Sequence, residues 1–164
     1  MLQNPLKILG INPGTRYLGI AYFDGDDLLD WGIKVINGRW TRRKRAKVAD
    51  LISRLIEYYR PNVIVIKKLH PSRSSKNLFC LSEEIVHQAR KKRLRLRRYS
   101  VEDLKSNFYP HEKANRRKLA KYLALSYPVL FYELNKEKNS NNLYHLRMFE
   151  AVALAVLCLR KLNK

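Results

Sequence analysis

KILGINPGTRYLGIAYF, residues 7–23, consists of two β-prone apolar runs divided by one sharp polar break. Ile8, Leu9 and Ile11 form the first run, and Tyr17, Leu18, Ile20, Tyr22 and Phe23 form the second; branched and aromatic side chains of this kind fit a pleated sheet. Between them, Pro13 fixes one backbone angle and Gly14 frees the next, the chemistry of a tight reversal. The stretch therefore predicts two antiparallel strands with the polar Asn12 at the end of the first.

Downstream, Asp24-Gly25-Asp26-Asp27 is a second turn, and Leu28–Ile36 predicts a third strand that completes a meander. Asp24, Asp26, Asp27 and Asp30 lack the spacing and distal Glu of a calcium loop and read as a solvated hairpin tip. Val48, Leu51, Ile52, Leu55, Ile56 and Tyr59 recur at helical spacing, and Arg60-Pro61-Asn62 ends that helix. Val63–Ile66 is a short, wholly apolar strand, expected to be covered on both faces. A second helix is expected from Ser82, with Ser82 as N-cap and Glu83 and Glu84 in its first turn. Leu94–Tyr99 resumes strand character, a short helix is expected from Ser100 to about Asn107, and another from Lys113 to Tyr127. Lys136–Asn142 reads as a loop, and Leu143–Leu162, apolar nearly all round, as a buried helix. Three strands followed by alternating helices and strands and then by helices alone predict an α/β fold: a mixed five-stranded sheet, its first three strands antiparallel, with helices on both faces.

Length and composition bound the rest. A chain of 164 residues with 46% apolar side chains fits one domain spanning residues 1–164 with a core of its own. Cys80 and Cys158 lie in apolar surroundings without zinc-site spacing and read as reduced core thiols, which places the protein in the cytoplasm. The N-terminal MLQNPLKIL has no basic start leading into a long apolar stretch, and no run approaches the roughly 18 apolar residues of a span, so no membrane association is expected. With 34 Lys and Arg against 14 Asp and Glu, the formal charge is +20, a field that attracts polyanions and repels a copy of itself. The expected partner is nucleic acid.

The opening hairpin and the element order resemble the ribonuclease H-like superfamily, and within it the RuvC family of Holliday-junction resolvases. Members of that family open with a strand ending in Asp, then Pro-Gly-Ser/Thr and a spacer to Gly; here stand Asn12-Pro13-Gly14-Thr15 and Gly19. Their apolar strand after a Pro-Asp/Asn turn ends in Glu; here Pro61-Asn62-Val-Ile-Val-Ile66 ends in Lys67. Their last helix carries two Asp ahead of an Ala-Leu-Ala run; here Phe149-Glu150-Ala151-Val152 precedes Ala153-Leu154-Ala155. The resemblance implies four carboxylates holding two divalent cations, and the matched positions read Asn12, Lys67, Phe149 and Val152, none of them acidic. No metal or other cofactor is therefore expected.

Glu150 is the residual acid. Its place on the inward side of the last helix calls for a buried partner, and Lys67 is the available cation. The leading expectation is a nucleic-acid binder, with branched or structured DNA or RNA as target, that has lost metal-dependent cleavage. The residues expected to touch nucleic acid are Arg16, Arg39, Trp40, Arg42, Arg43, Arg45, Lys67, Lys68, His70, Arg73, Lys76, Arg116 and Arg117, which fall at loops and helix ends. A homodimer gripping a branched substrate accords with the resemblance. Two alternatives remain: a structure-specific endonuclease that uses Glu150 with Mg²⁺ or Mn²⁺, and an accessory or scaffolding subunit of a nucleic-acid-processing complex. His70, His87, His111 and His145 show no ligand spacing, and most of the ten tyrosines read as packing residues.

Overall fold

The computed structural model describes residues 4–108, 115–138 and 144–162. The strands are β1 (Lys7–Asn12), β2 (Tyr17–Asp24), β3 (Asp27–Val35), β4 (Val63–Lys67) and β5 (Arg95–Tyr99). The helices are α1 (Arg42–Tyr59), α2 (Lys76–Lys91), α3 (Val101–Phe108), α4 (Arg116–Ser126), α5 (Phe131–Lys138) and α6 (Tyr144–Leu162), with a 3₁₀ turn at Pro128–Leu130. The sheet runs β3-β2-β1-β4-β5, antiparallel across β3-β2-β1 and parallel across β1-β4-β5. This is the mixed five-stranded α/β arrangement that the sequence predicts.

Strand parity divides the core in two. Ile8 packs with Val63, Val65 and α6, whereas Leu9 and Ile11 pack with Ile64, Ile66, α1 and α2. The same alternation carries Asn12 and Lys67 to the α6 side, because they follow Ile8 and Val65 by even steps. Helix α6 lies against this face at backbone contact. A Cβ at Gly10 would overlap the Ala151 carbonyl oxygen, and one at Gly19 would overlap that of Arg147. Both glycines are thus required by the close approach of helix to sheet rather than by a turn.

Several sequence expectations need correction. Helix α2 begins at Lys76, not near Ser82: Ser75 is its N-cap, accepting from the Leu78 amide at 3.1 Å. The run Pro71–Lys76 looks like loop because its serines are polar, yet a cap is where a polar hydroxyl stabilises a helix. Helix α1 absorbs most of the basic stretch Arg39–Lys47 and starts at Arg42, capped by Thr41. Lys136–Lys138 belong to α5, which weak periodicity hid and which packs on α4 and α6; residues 139–142 lie outside the described residues. The expected starts at Lys113 and Leu143 also lie outside them, as does His111. Cys158 is buried, while Cys80 is only partly so. Asp30 accepts from the Tyr59 hydroxyl at 2.5 Å, so one acid of the supposed solvated tip tethers α1 to β3. Among the described residues, no helix is long and apolar enough to cross a membrane.

Candidate functional site

β1 and β4 are adjacent and parallel, and their register pairs Ile11 with Ile66, so Asn12 and Lys67 emerge side by side at the carboxyl ends. Beyond this point β1 turns toward β2 and β4 leads away to α2 and β5. Ligand sites of open α/β sheets lie at such a divergence.

Above it, α6 supplies Glu150, which is 5% exposed. The Lys67 ammonium donates to Glu150 Oε2 at 2.8 Å and the Asn12 amide donates to the same oxygen at 3.0 Å. Arg116, at the start of α4, reaches Oε1 at 2.8 Å. The Asn12 amide also lies 3.2 Å from the Arg147 carbonyl oxygen, which ties the strand end to the helix backbone. The Lys67–Glu150 pair expected from sequence is thus present, with Arg116 and Asn12 added to it.

The positions of α6 that face the strand ends lie two residues before those matched from sequence. Phe149 and Val152 are fully buried in the core and do not reach the strand ends. The positions three apart that do are Arg147 and Glu150: Arg147's carbonyl and Glu150's carboxylate meet Asn12, and Arg147's guanidinium would meet a Cβ placed at Gly14. Burial pushes the Arg147 pKa down, partly opposed by Glu150 and reinforced by Arg116. Residues at i and i+3 share a helix face, and that spacing back from Glu150 was the signal for Arg147.

This donor set does not fit a divalent cation. Among the described residues, Glu150 is the acid that meets the Asn12 and Lys67 side chains, and Lys67, Asn12 and Arg116 already engage both of its oxygens. A hard cation needs several oxygen ligands, and the Lys67 ammonium repels it at short range. Among the described residues, no three His, Cys, Asp or Glu side chains converge in a metal-holding group.

The other sequence-predicted residues separate into several groups. Arg39, Arg42, Arg43, Lys68, Arg73, Lys76 and Arg117 are exposed. Arg45 is less available, because its Nε binds the buried Glu84 of α2 at 3.1 Å. His70 makes a local contact, its Nδ1 lying 2.9 Å from the Ser72 hydroxyl, as a loop histidine does. Arg16 and Trp40 line a shared pocket with Lys44 and Asn77, on the side of the sheet that carries α1 and α2.

No protein-family model matches this sequence, and no curated protein matches it at the sequence level. Solved structures do match in shape. Thermus thermophilus RuvC superposes with a TM-score of 0.71 at 15% identity over 96% of each chain. The T. thermophilus RuvC bound to a Holliday junction substrate gives 0.69 at 12% identity, again over 96% of each. The yeast mitochondrial Holliday junction resolvase Ydc2 gives 0.72 at 16% identity, over 98% of this chain and 80% of that one. The fold is therefore ribonuclease H-like, of the RuvC type.

Proposed function

We propose that this protein binds nucleic acid, in the first place structured or branched DNA, through its cationic surface and does not cut it with metal ions. The observation that carries this reading is the occupation of Glu150 by Lys67, Asn12 and Arg116 where β1 and β4 end. A cleft with one neutralised carboxylate and the cations Lys67, Arg116 and Arg147 attracts a phosphodiester and gives Mg²⁺ little to bind. The exposed Arg42, Arg43, Lys68, Arg73 and Arg117 supply further phosphate contacts on the protein surface. The charge of +20 makes such binding long-ranged and sensitive to salt.

The test is a paired binding and cleavage assay on a four-way junction, a matching duplex and a single strand, each with Mg²⁺, Mn²⁺ or EDTA. Tight junction binding that EDTA leaves unchanged, without cut product, is expected. Metal-dependent nicking abolished by Glu150→Gln overturns the proposal in favour of the endonuclease. Weak binding with a flat salt response overturns it in favour of a scaffolding role. Arg42→Glu is expected to weaken junction and duplex binding alike and to flatten the log-log salt slope by about 1.

A further inference from the structure

On the opposite side of the sheet from Glu150, a pocket of about 360 Å³ opens between the β1–β2 turn, the β3–α1 connection and the first turns of α1 and α2. This is within the range of roughly 300–1,000 Å³ usual for small-ligand sites. Arg16, Trp40, Lys44 and Asn77 provide its functional groups. Lys44 is 6% exposed; its ammonium donates to the Gly38 carbonyl at 2.6 Å. Among the described residues no carboxylate pairs with it, so a buried cation faces the pocket with donors to spare.

The surroundings favour an anion there. Helices α1 and α2 both begin beside the pocket, and neither carries an acid in its first turn to offset its positive end. Arg16 adds a second cation. Burial, and then Arg16, depress the Lys44 pKa, as expected of a charge without a counterion. Trp40 packs against the α1–α2 core and also lines the pocket, offering an aromatic surface near the cations.

We propose that this pocket receives one unpaired nucleotide of a nucleic-acid strand, its phosphate held by Lys44 and the two helix starts and its base stacked on Trp40. The inference rests on the nucleic-acid reading above and adds to it a second site, selective for a nucleotide outside the duplex. Stacking on an aromatic ring is tolerant of base identity, so the pocket selects for the unpaired state rather than for sequence.

The protein has two tryptophans, so Trp31→Phe leaves Trp40 as the sole indole reporter. Thymidine monophosphate is expected to change Trp40 fluorescence, with thymidine and inorganic phosphate each binding weaker by roughly tenfold or more. A duplex carrying one unpaired nucleotide should be preferred to its fully paired counterpart. Lys44→Met, which keeps the aliphatic stem, should abolish that preference with the circular dichroism spectrum retained; if it does not fold, Asn77→Ala, at an exposed position, should weaken the preference instead. If duplex binding persists by gel shift but neither the monophosphate nor the unpaired nucleotide is sensed, the pocket inference falls and the proposed function stands. If the monophosphate binds through Lys44 while no polynucleotide binds at low salt, the proposed function falls, and this strand-binding inference falls with it. Inorganic phosphate binding as well as the monophosphate overturns the stacking role of Trp40.

Discussion

The two sides of the sheet treat buried charge in opposite ways. On the α6 side, Glu150 sits among Lys67, Arg116 and the Asn12 amide, and each carboxylate oxygen has a donor within 3.0 Å. On the α1–α2 side, Lys44 and Arg16 face a pocket with no acid among its lining residues. The first arrangement neutralises Glu150 and holds strands to helix, while Lys67, Arg116 and Arg147 together keep an excess of positive charge. Among the described residues the second has no counterion at all, so one has to come from outside the chain. The same composition, rich in Lys and Arg, thus yields a cleft whose charge is partly met within the chain and a pocket whose charge is not, and one carboxylate makes the difference.

The comparison predicts effects of opposite sign. Glu150→Ala strands Lys67 in a largely dry site and should lower the unfolding free energy by about 4 kcal/mol, read by urea denaturation. A loss below about 1 kcal/mol means that water already screens these charges, and the contrast collapses. Next in size is Gly19→Ala, which sets a methyl against the Arg147 carbonyl and should cost about 3 kcal/mol, whereas Gly32→Ala, with open space around it, should cost little. Equal effects at the two glycines show that α6 does not rest on the sheet backbone.

At the other site, Lys44→Met should leave stability unchanged or raise it by about 1 kcal/mol, because it removes a buried charge that has no counterion among the described residues. Its pH dependence follows the same logic. The folded protein releases the Lys44 proton below the ordinary value of 10.5 at which the unfolded chain does. In the interval below 10.5 the unfolded state therefore holds more protons, and stability should rise with pH there, a rise that Lys44→Met removes. Arg16 and Lys44 are the titratable side chains lining the pocket, and the monophosphate signal at Trp40 should decay over that same interval. The smallest effect is Arg45→Ala, about 1 kcal/mol or less: Arg45 is half exposed, and Glu84 keeps the Gln88 amide at 3.1 Å.

Legibility in the sequence followed locality. β1, β2 and β4 are dense apolar runs between turn signals, and α1 and α6 carry apolar positions at helical spacing; each signal is complete within its own segment. The starts of α2 and the whole of α5 were hidden because Ser75 caps a helix in a loop-like setting, and α5 gains its stability by packing on α4 and α6. At the site, the Lys67–Glu150 pair could be read once strand and helix were taken to meet. Arg147 could have been found three residues before Glu150, and Lys44 four residues before Val48 on the apolar stripe of α1, had charge not been assumed to face outward.

What the sequence determined by itself is the order of the strands and of every helix except α5, the side of the sheet to which Asn12 and Lys67 point, and the excess of cations. Period-two alternation, helical spacing and net charge are properties of the chain alone. What only the tertiary structure decided is which cations are neutralised: Arg116 comes from a different helix to complete Glu150, Phe149 and Val152 turn into the core, and Lys44 is enclosed with no carboxylate beside it among the described residues. The physical reason is that a charge's role depends on its partners and its solvation within a few ångströms, and those are set by segments far apart in sequence.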